Sequence, residues 1–473
     1  MNAATRGGRR AAAPRRFRGD RTTVAAGAMV LLAALAVVLT RGPGPADLAG
    51  PDAGAVVDHT LLACPDDPTG RVKSRTDVGL APVEGPAGAL GAGGSLEIDA
   101  GGETTKTTLR RGATTSVDSS PAPVLDASGA VAAGLFGFRS DRLGRASAVG
   151  GCVAPRADWW FTGAGAGIDH LSDLVMTNVD PGPAVVDIRV LGADGEIETI
   201  GTRGVTIAPG DTTRVALADV APQNDEVVVR VEASRGRVAA ALSDRFAPRK
   251  AGPSGLEWLT GTEEPGRLLR LAGLPARATE RTLLVGNPSD LEALVDLEVS
   301  GSRGSFVPSG FETLSVPPGT VRAVDVTDLL HGKEAMAVRL QAQVPVVASV
   351  RSVSGSDSSS SATVVPLDDP AAVPVLTGST TTVQLSAGAG GATVRVAGYT
   401  AKGRPTGDDE VTVDPASTTT WRPEKDTAYV VVTPLKGNVY GAATYTGEAG
   451  VASAPLLPLP VRLERPGVVP APR

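Results

Sequence analysis

Leu174-Val-Met-Thr-Asn178 followed by Val186-Asp-Ile-Arg-Val190 returns further along the chain as Leu283-Leu-Val-Gly-Asn287 followed by Val295-Asp-Leu-Glu-Val299. The two asparagines lie 109 positions apart, as do Asp187 and Asp296, Pro209-Gly210 and Pro318-Gly319, and Arg230 and Arg339. The units align without a gap, which marks an internal duplication. Within each unit the hydrophobic period is two: Val186, Ile188 and Val190 oppose Asp187 and Arg189, and Val295, Leu297 and Val299 oppose Asp296 and Glu298. That alternation describes strands buried on one face. Pro209-Gly210 and Pro318-Gly319 supply proline at i+1 and glycine at i+2 of a type II turn, and Asp194-Gly195 signals a hairpin.

A more worn copy follows, with Val394-Arg-Val396 and Pro415 matching Ile188-Arg-Val190 and Pro209 at an offset of 206. Upstream, Asp126-Ala-Ser-Gly-Ala-Val131 resembles Glu232-Ala-Ser-Arg-Gly-Arg-Val238, which points to a fourth, N-terminal unit. Junction sequences repeat as well: Trp159-Trp160-Phe161-Thr162-Gly163, Glu257-Trp258-Leu259-Thr260-Gly261 and Pro374-Val375-Leu376-Thr377-Gly378. Short β-rich runs, about a hundred residues per unit, lead to an all-β fold of tandem immunoglobulin-like β-sandwich units. The units are read as 57–155, 156–256, 257–372 and 373–473, the last with a Pro-rich tail. The Cys-Trp-Cys core of true immunoglobulin domains is absent, so the label is architectural. Ser352–Ser361 reads as a flexible serine-rich loop, and Leu456–Arg473 as a final strand or extended tail.

The N-terminus is of another kind. Residues 1–21 hold seven arginines against Asp20, and Thr22–Thr40 is a charge-free run of nineteen residues. As a helix that run spans about 28 Å, close to the ~30 Å hydrocarbon thickness of a bilayer. The expected order is a cytoplasmic tail at 1–21, one transmembrane helix at 22–40 and a linker at 41–56, with everything beyond lying outside the cytoplasm by the positive-inside rule. The competing reading is a cleaved signal peptide, for which Gly44 and Ala46 make a passable cleavage pair.

The chain carries a net −6, and without its basic tail residues 22–473 carry −12. An acidic exported part argues against nucleic acid and against docking on anionic headgroups. Two cysteines in an oxidising compartment read as one structural disulfide, Cys64–Cys152.

Catalytic signals are sparse. With three histidines and no G-x-S-x-G elbow, neither a soft-ligand metal cluster nor a serine triad is indicated. Asp169, His170 and Asp173 are close in sequence, but adjacent residues on an extended backbone point to opposite faces, so His170 reads as a surface histidine in a connecting segment. Gly163-Ala-Gly165-Ala-Gly167 lacks the βαβ context of a nucleotide loop and reads as a flexible inter-strand loop. Asp66-Asp67, Asp368-Asp369 and Asp408-Asp409-Glu410 lack calcium-loop spacing and read as solvated turns. No catalytic residue, metal ligand or cofactor is assigned. Of the four tryptophans, Trp160 and Trp258 occupy equivalent junctions and read as core; Trp159 and Trp421 are left as candidate ligand or interface residues.

The Arg-rich tail, the single anchor, Cys64-Pro65, Cys152 before Trp159-Trp160-Phe-Thr-Gly, and Asn178 with its Pro209-Gly210 turn together resemble an actinobacterial family of membrane-anchored secreted proteins of unknown function. The resemblance runs from about Val57 to the C-terminus. It implies a single-pass protein exposing tandem β-domains outside the cell membrane, of a kind often encoded beside a large membrane glycosyltransferase. The resulting expectation is a non-enzymatic extracytoplasmic scaffold in cell-envelope assembly with an envelope-protein partner. The alternative is a glycan-binding module of the cell wall, which needs Trp159 or Trp421 exposed in a groove. A hydrolase would need two close carboxylates in a pocket.

Overall fold

The structure is a computed structural model that describes residues 56–462, apart from 68–71, 86–90, 120, 247–254, 263, 277, 312, 331–333 and 448–449. The tail at 1–21, the expected membrane helix at 22–40, the linker up to Ala55 and the end of the chain from 463 lie outside the described residues. Among the described residues no helix is long and apolar enough to cross a membrane.

The protein is nearly all β, and one four-stranded antiparallel order recurs four times along it. It runs Thr114–Val117, Lys73–Leu80, Leu135–Leu143, Ala146–Gly151 in the first instance. In the second it runs Thr212–Ala216, His170–Thr177, Ala239–Phe246, Glu257–Leu259. The third is Val321–Asp325, Glu280–Gly286, Ala337–Ser354, Asp357–Ala362. The fourth is Thr418–Trp421, Thr380–Tyr399, Tyr429–Gly447, Gly450–Pro455. Each sheet is backed by further strands. In the third and fourth, the long strands Ala337–Ser354, Thr380–Tyr399 and Tyr429–Gly447 belong to both layers, and register shifts between Ala387 and Ala392 and between Thr393 and Val394 let the last two change layer.

Alternation builds the cores. Val186, Ile188 and Val190 face Leu174, Met176 and Leu242, and Val295, Leu297 and Val299 repeat that packing against Leu283, Val285 and Val350. Each such side chain contributes about 1.5–3 kcal/mol by leaving water. The first core, around Val78, Leu96 and Leu125, includes Cys64 and Cys152, joined as a disulfide. The last core reaches across to the first sheet: Phe136, Phe138 and Val149 pack with Val383, Val430 and Tyr445. The described chain thus closes on itself, and Val56 pairs with Arg462.

Turn chemistry accounts for the repeated punctuation. The Asp211 N–H bonds the Ala208 carbonyl across Pro209-Gly210, and the Thr320 N–H bonds the Pro317 carbonyl across Pro318-Gly319, with φ of 78° and 68° at the glycines. In the worn copy the Ser417 N–H bonds the Asp414 carbonyl across Pro415-Ala416, and Ala416 takes the same left-handed backbone at φ 52°.

The serine-rich stretch departs from expectation. Ser352–Ser361 is the end of one strand and most of the next, and Ser358, Ser359, Ser360 and Ser361 are buried. Strand Asp357–Ala362 packs against Gly450–Pro455, Glu257–Leu259 and Ala146–Gly151, so the last strand of every four-stranded sheet meets the others at one centre. Small hydroxyl side chains let four strands approach there, which serine composition alone does not distinguish from a linker.

Candidate functional site

The centre is held by two carboxylates. Asp357 Oδ1 accepts the backbone N–H of Leu256 at 3.2 Å and of Ser358 at 3.0 Å; Oδ2 accepts those of Ser147 at 3.1 Å and Val451 at 2.9 Å. One side chain therefore ties all four sheets. Glu257 beside it accepts from the backbone N–H groups of Trp258 and Ser360, each at 3.0 Å. Burial pushes the Asp357 carboxyl up to about 7, against the pull of its four amide donors. Glu257 is raised well above the usual carboxylate range, by burial first and by the neighbouring Asp357 charge. Asp141, raised by burial, bonds Arg139 and the Trp258 indole N–H, the latter at 2.8 Å. Every carboxylate of this group is occupied by groups of the chain, which gives it the role of a clamp.

His170 is buried, contrary to the expected surface position, because a covering strand arrives from a distant part of the sequence. It sits in strand His170–Thr177 with Nδ1 3.0 Å from Asp244 and Nε2 3.3 Å from Arg351 of the third sheet. Arg351 also forks onto Glu226 and lies 3.9 Å over the Phe246 ring. Burial opposes the imidazolium, but Asp244 and Glu226 outweigh it and leave the His170 pKa raised, with Arg351 pulling it back down. Ser172 donates its hydroxyl to Asp244 at 2.6 Å instead of facing the imidazole, so the group lacks the order of a nucleophilic triad. The nearby glycine run is a packed turn: a Cβ on Gly167 would lie 1.5 Å from Asp225 Oδ1.

The remaining sequence candidates are dispersed. Trp159 is 1% exposed inside the second core and donates to the Val238 carbonyl at 2.8 Å. Trp160, on the opposite face of the same strand, is buried with Leu191, Val228, Val321 and Val347 between the second and third sheets. Both faces of that strand are thus covered. Trp421 is half-buried, its indole N–H on Asp409 at 2.7 Å. The acidic pairs bond neighbouring segments: Asp66 accepts from the Ala122 N–H, Asp369 pairs with Arg462 and Asp408 with Arg395. Among the described residues no group of three or more His, Cys, Asp or Glu side chains could hold a metal.

A large cleft, about 990 Å³, lies where the first and last described strands meet. Its walls are Val57, His59–Leu62 and Leu457–Pro460 with Arg462, and segments around Pro155, Pro181 and Pro209 complete it. His59 bonds Asp126 at 2.8 Å, and Asp180 pairs with Arg237 at 2.7 Å on the rim. Prolines fix its backbone and leave carbonyl acceptors without matching N–H donors. Such a surface suits recognition by shape and exchange of ion pairs. Sequence reading missed this site because its walls come from the first and last described strands and from segments far from both in sequence.

The family of unknown function DUF5719 matches residues 112–424, which include both clear repeats. The chain belongs to that family. Asn178, Asn287, Arg351 and Asp357 all fall inside the match. A search of curated proteins finds no match. Among solved structures the chain is similar to the crystal structure of Streptomyces avermitilis alpha-L-rhamnosidase complexed with L-rhamnose, at 9% identity and a TM-score of 0.12. That likeness covers 84% of this chain and 57% of the other's length, and carries no argument about fold or activity.

Proposed function

We propose that the protein is a non-enzymatic, membrane-anchored extracytoplasmic scaffold in cell-envelope assembly, whose large cleft receives a membrane-protein partner. In this reading residues 22–40 are the single-pass anchor, the arginine tail stays in the cytoplasm, and the sheet pairs are immunoglobulin-like sandwiches. The observation that carries it is the position of the cleft: Val57 and His59–Leu62, the first described strand after the anchor and linker, form one of its walls. That wall is the part of the described chain that follows the proposed anchor and linker most directly in sequence. Four sheets tied at Asp357 give the cleft a fixed shape, which lowers the ordering cost of binding.

The test is co-purification of the full-length chain from native membranes in mild detergent, with mass spectrometry. A membrane protein, by the resemblance a glycosyltransferase, is recovered with the wild type and lost when the rim pair is broken by Asp180→Arg. Equal recovery with the variant contradicts the reading. Trp421, half-buried and hydrogen-bonded through its indole, supports a second reading as a wall-glycan module; binding of wall polysaccharide that Trp421→Ala abolishes would favour it.

A further inference from the structure

The first wall of the large cleft is an unfinished β-ladder. In an antiparallel pair, successive residues turn their N–H and C=O groups to opposite edges of the strand. Strand His59–Ala63 pairs with Val124–Ser128 on one edge, and the Asp58 carbonyl and Cys64 N–H, bonded to Gly129 and Pro123, show that the even-numbered residues face that way. The odd-numbered residues face the other edge. There the Val57 N–H bonds the Val461 carbonyl at 3.5 Å, and Ala63 exchanges both backbone bonds with Val153, each at 2.9 Å. Between these two anchor points, the backbone N–H and C=O groups of His59 and Leu61 turn to the cleft, without a hydrogen-bond partner among the described residues.

The chain does not close this gap itself. Continuing the antiparallel register of Val56 with Arg462 would set His59 against Leu459 and Leu61 against Leu457. Instead Leu457–Pro458 pairs with Ala371 and Ala372, the Leu459 N–H bonds the Pro370 carbonyl at 2.7 Å, and Pro458 and Pro460 have no N–H to give. The two longest open edges elsewhere carry charges that discourage pairing: Pro405–Val413 has Asp408, Asp409 and Glu410, and Glu103–Arg110 has Lys106 near its middle. Strand His59–Ala63 has no Asp, Glu, Lys or Arg.

We infer that, given a protein partner in this cleft, the open edge takes an extended three-residue stretch of one of the partner's loops by antiparallel strand addition. The direction follows from the flanks, since the segments of Arg462 and Val153 both run antiparallel to this strand. The length has the same origin. Both ends of the edge are already paired, which confines the added stretch to positions opposite His59, Thr60 and Leu61, about 7 Å at about 3.4 Å per residue. Its first and third residues exchange the four backbone bonds and so cannot be proline; they share the exposed face of His59. The middle residue lies on the face of Thr60 and Leu62, which are buried, and suits an apolar side chain.

The probe is N-acetyl-Thr-Val-Thr-N-methylamide, added to the full-length chain in nanodiscs and labelled with ¹⁵N-histidine. The chain has three histidines, and His59→Gln identifies the amide signal of His59. The expected result is a saturable shift of that signal, with affinity weakened about tenfold or more when both threonine nitrogens of the probe are methylated, and about fivefold or more by Leu61→Pro. Leu61→Pro removes a donor from the open edge and none from the ladder with Val124–Ser128, so the variant should melt with the wild type. The methylated probe leaves the protein unaltered. No saturable shift up to about 10 mM, or equal affinity for the methylated probe or in Leu61→Pro, would each overturn strand addition. The tripeptide needs no membrane partner, so its failure to bind leaves capture of such a partner in the cleft as a separate outcome.

Discussion

Asn178 and Asn287, in successive repeats, make the same bonds at the same offset. Each is fully buried; the side-chain amide of Asn178 donates to the carbonyls of Gly182 and Ile207, and that of Asn287 to those of Leu291 and Val316. Their side-chain oxygens accept the N–H of Asp180 and Ser289 in turn. An asparagine at the end of a strand thus pins the next hairpin in both copies, which gives the repeated residue its physical reason.

Removing either asparagine leaves one buried carbonyl, that of Ile207 or Val316, and a half-buried backbone N–H, that of Asp180 or Ser289, without that partner. Asn178→Ala and Asn287→Ala should each cost about 2–3 kcal/mol. Because the sites share no partner, the double variant should lose the sum within about 0.5 kcal/mol. Urea titration followed by circular dichroism measures this, and a loss below about 0.5 kcal/mol for either single variant would refute the pinning role.

Ala416 occupies the left-handed turn position that Gly210 and Gly319 fill in the clearer copies. Ala416→Gly should stabilise by up to about 1 kcal/mol, and Gly210→Ala should destabilise by a similar amount. A methyl group at Gly210 would meet open space, so the substitution isolates the backbone effect. Melting temperatures of the two variants should move in opposite directions; a shared direction contradicts the turn assignment.

The central carboxylates set a pH dependence with a definite sign. An unfolded aspartate titrates near 4, and folded Asp357 is raised to about 7. Its contribution is complete below about pH 4 and is lost as pH rises toward 7, because the folded state retains the proton longer. Glu257 and Asp141 shift in the same direction. Stability from urea titration should therefore fall between about pH 4 and 7, with a slope of at most ~1.4 kcal/mol per pH unit for each group. Asp357→Asn should flatten that slope and lower stability throughout, since an amide NH₂ would confront two backbone donors. A stability that rises across the window would contradict the account.

His170 offers an independent probe of the seam between the second and third sheets. Its pKa is raised by Asp244 and Glu226 and pulled back by Arg351, so NMR titration should find it above about 6.5 and higher still in Arg351→Met. The stability it contributes is present below about 6.5 and lost as pH rises through the folded value. The variant should also lose roughly 3–5 kcal/mol by stranding Glu226. A His170 pKa that falls in Arg351→Met would exclude contact between the sheets.

What could be read in the sequence was local. Period-two alternation and Pro-Gly turns are written in residues that lie next to one another, so the β class, the duplication and the Cys64–Cys152 disulfide were legible. The misread positions depend on distant segments. His170 is covered by Arg351, and the serines of 358–361 are enclosed by strands near 147, 257 and 451; no local pattern encodes such partners. Trp159 looked available because the repeat left it without a counterpart, yet a strand covered on both faces buries each of its tryptophans.

The central claim is that the large cleft receives a membrane partner, and site-specific photo-crosslinking in native membranes tests it most directly. The photoreactive residue would replace His59 or Pro458, which line the cleft, and separately Arg322, which is exposed and does not. The account predicts that the two cleft positions capture the same integral membrane protein and that Arg322 does not. Capture of no membrane protein at His59 or Pro458, or equal capture at Arg322, would contradict it.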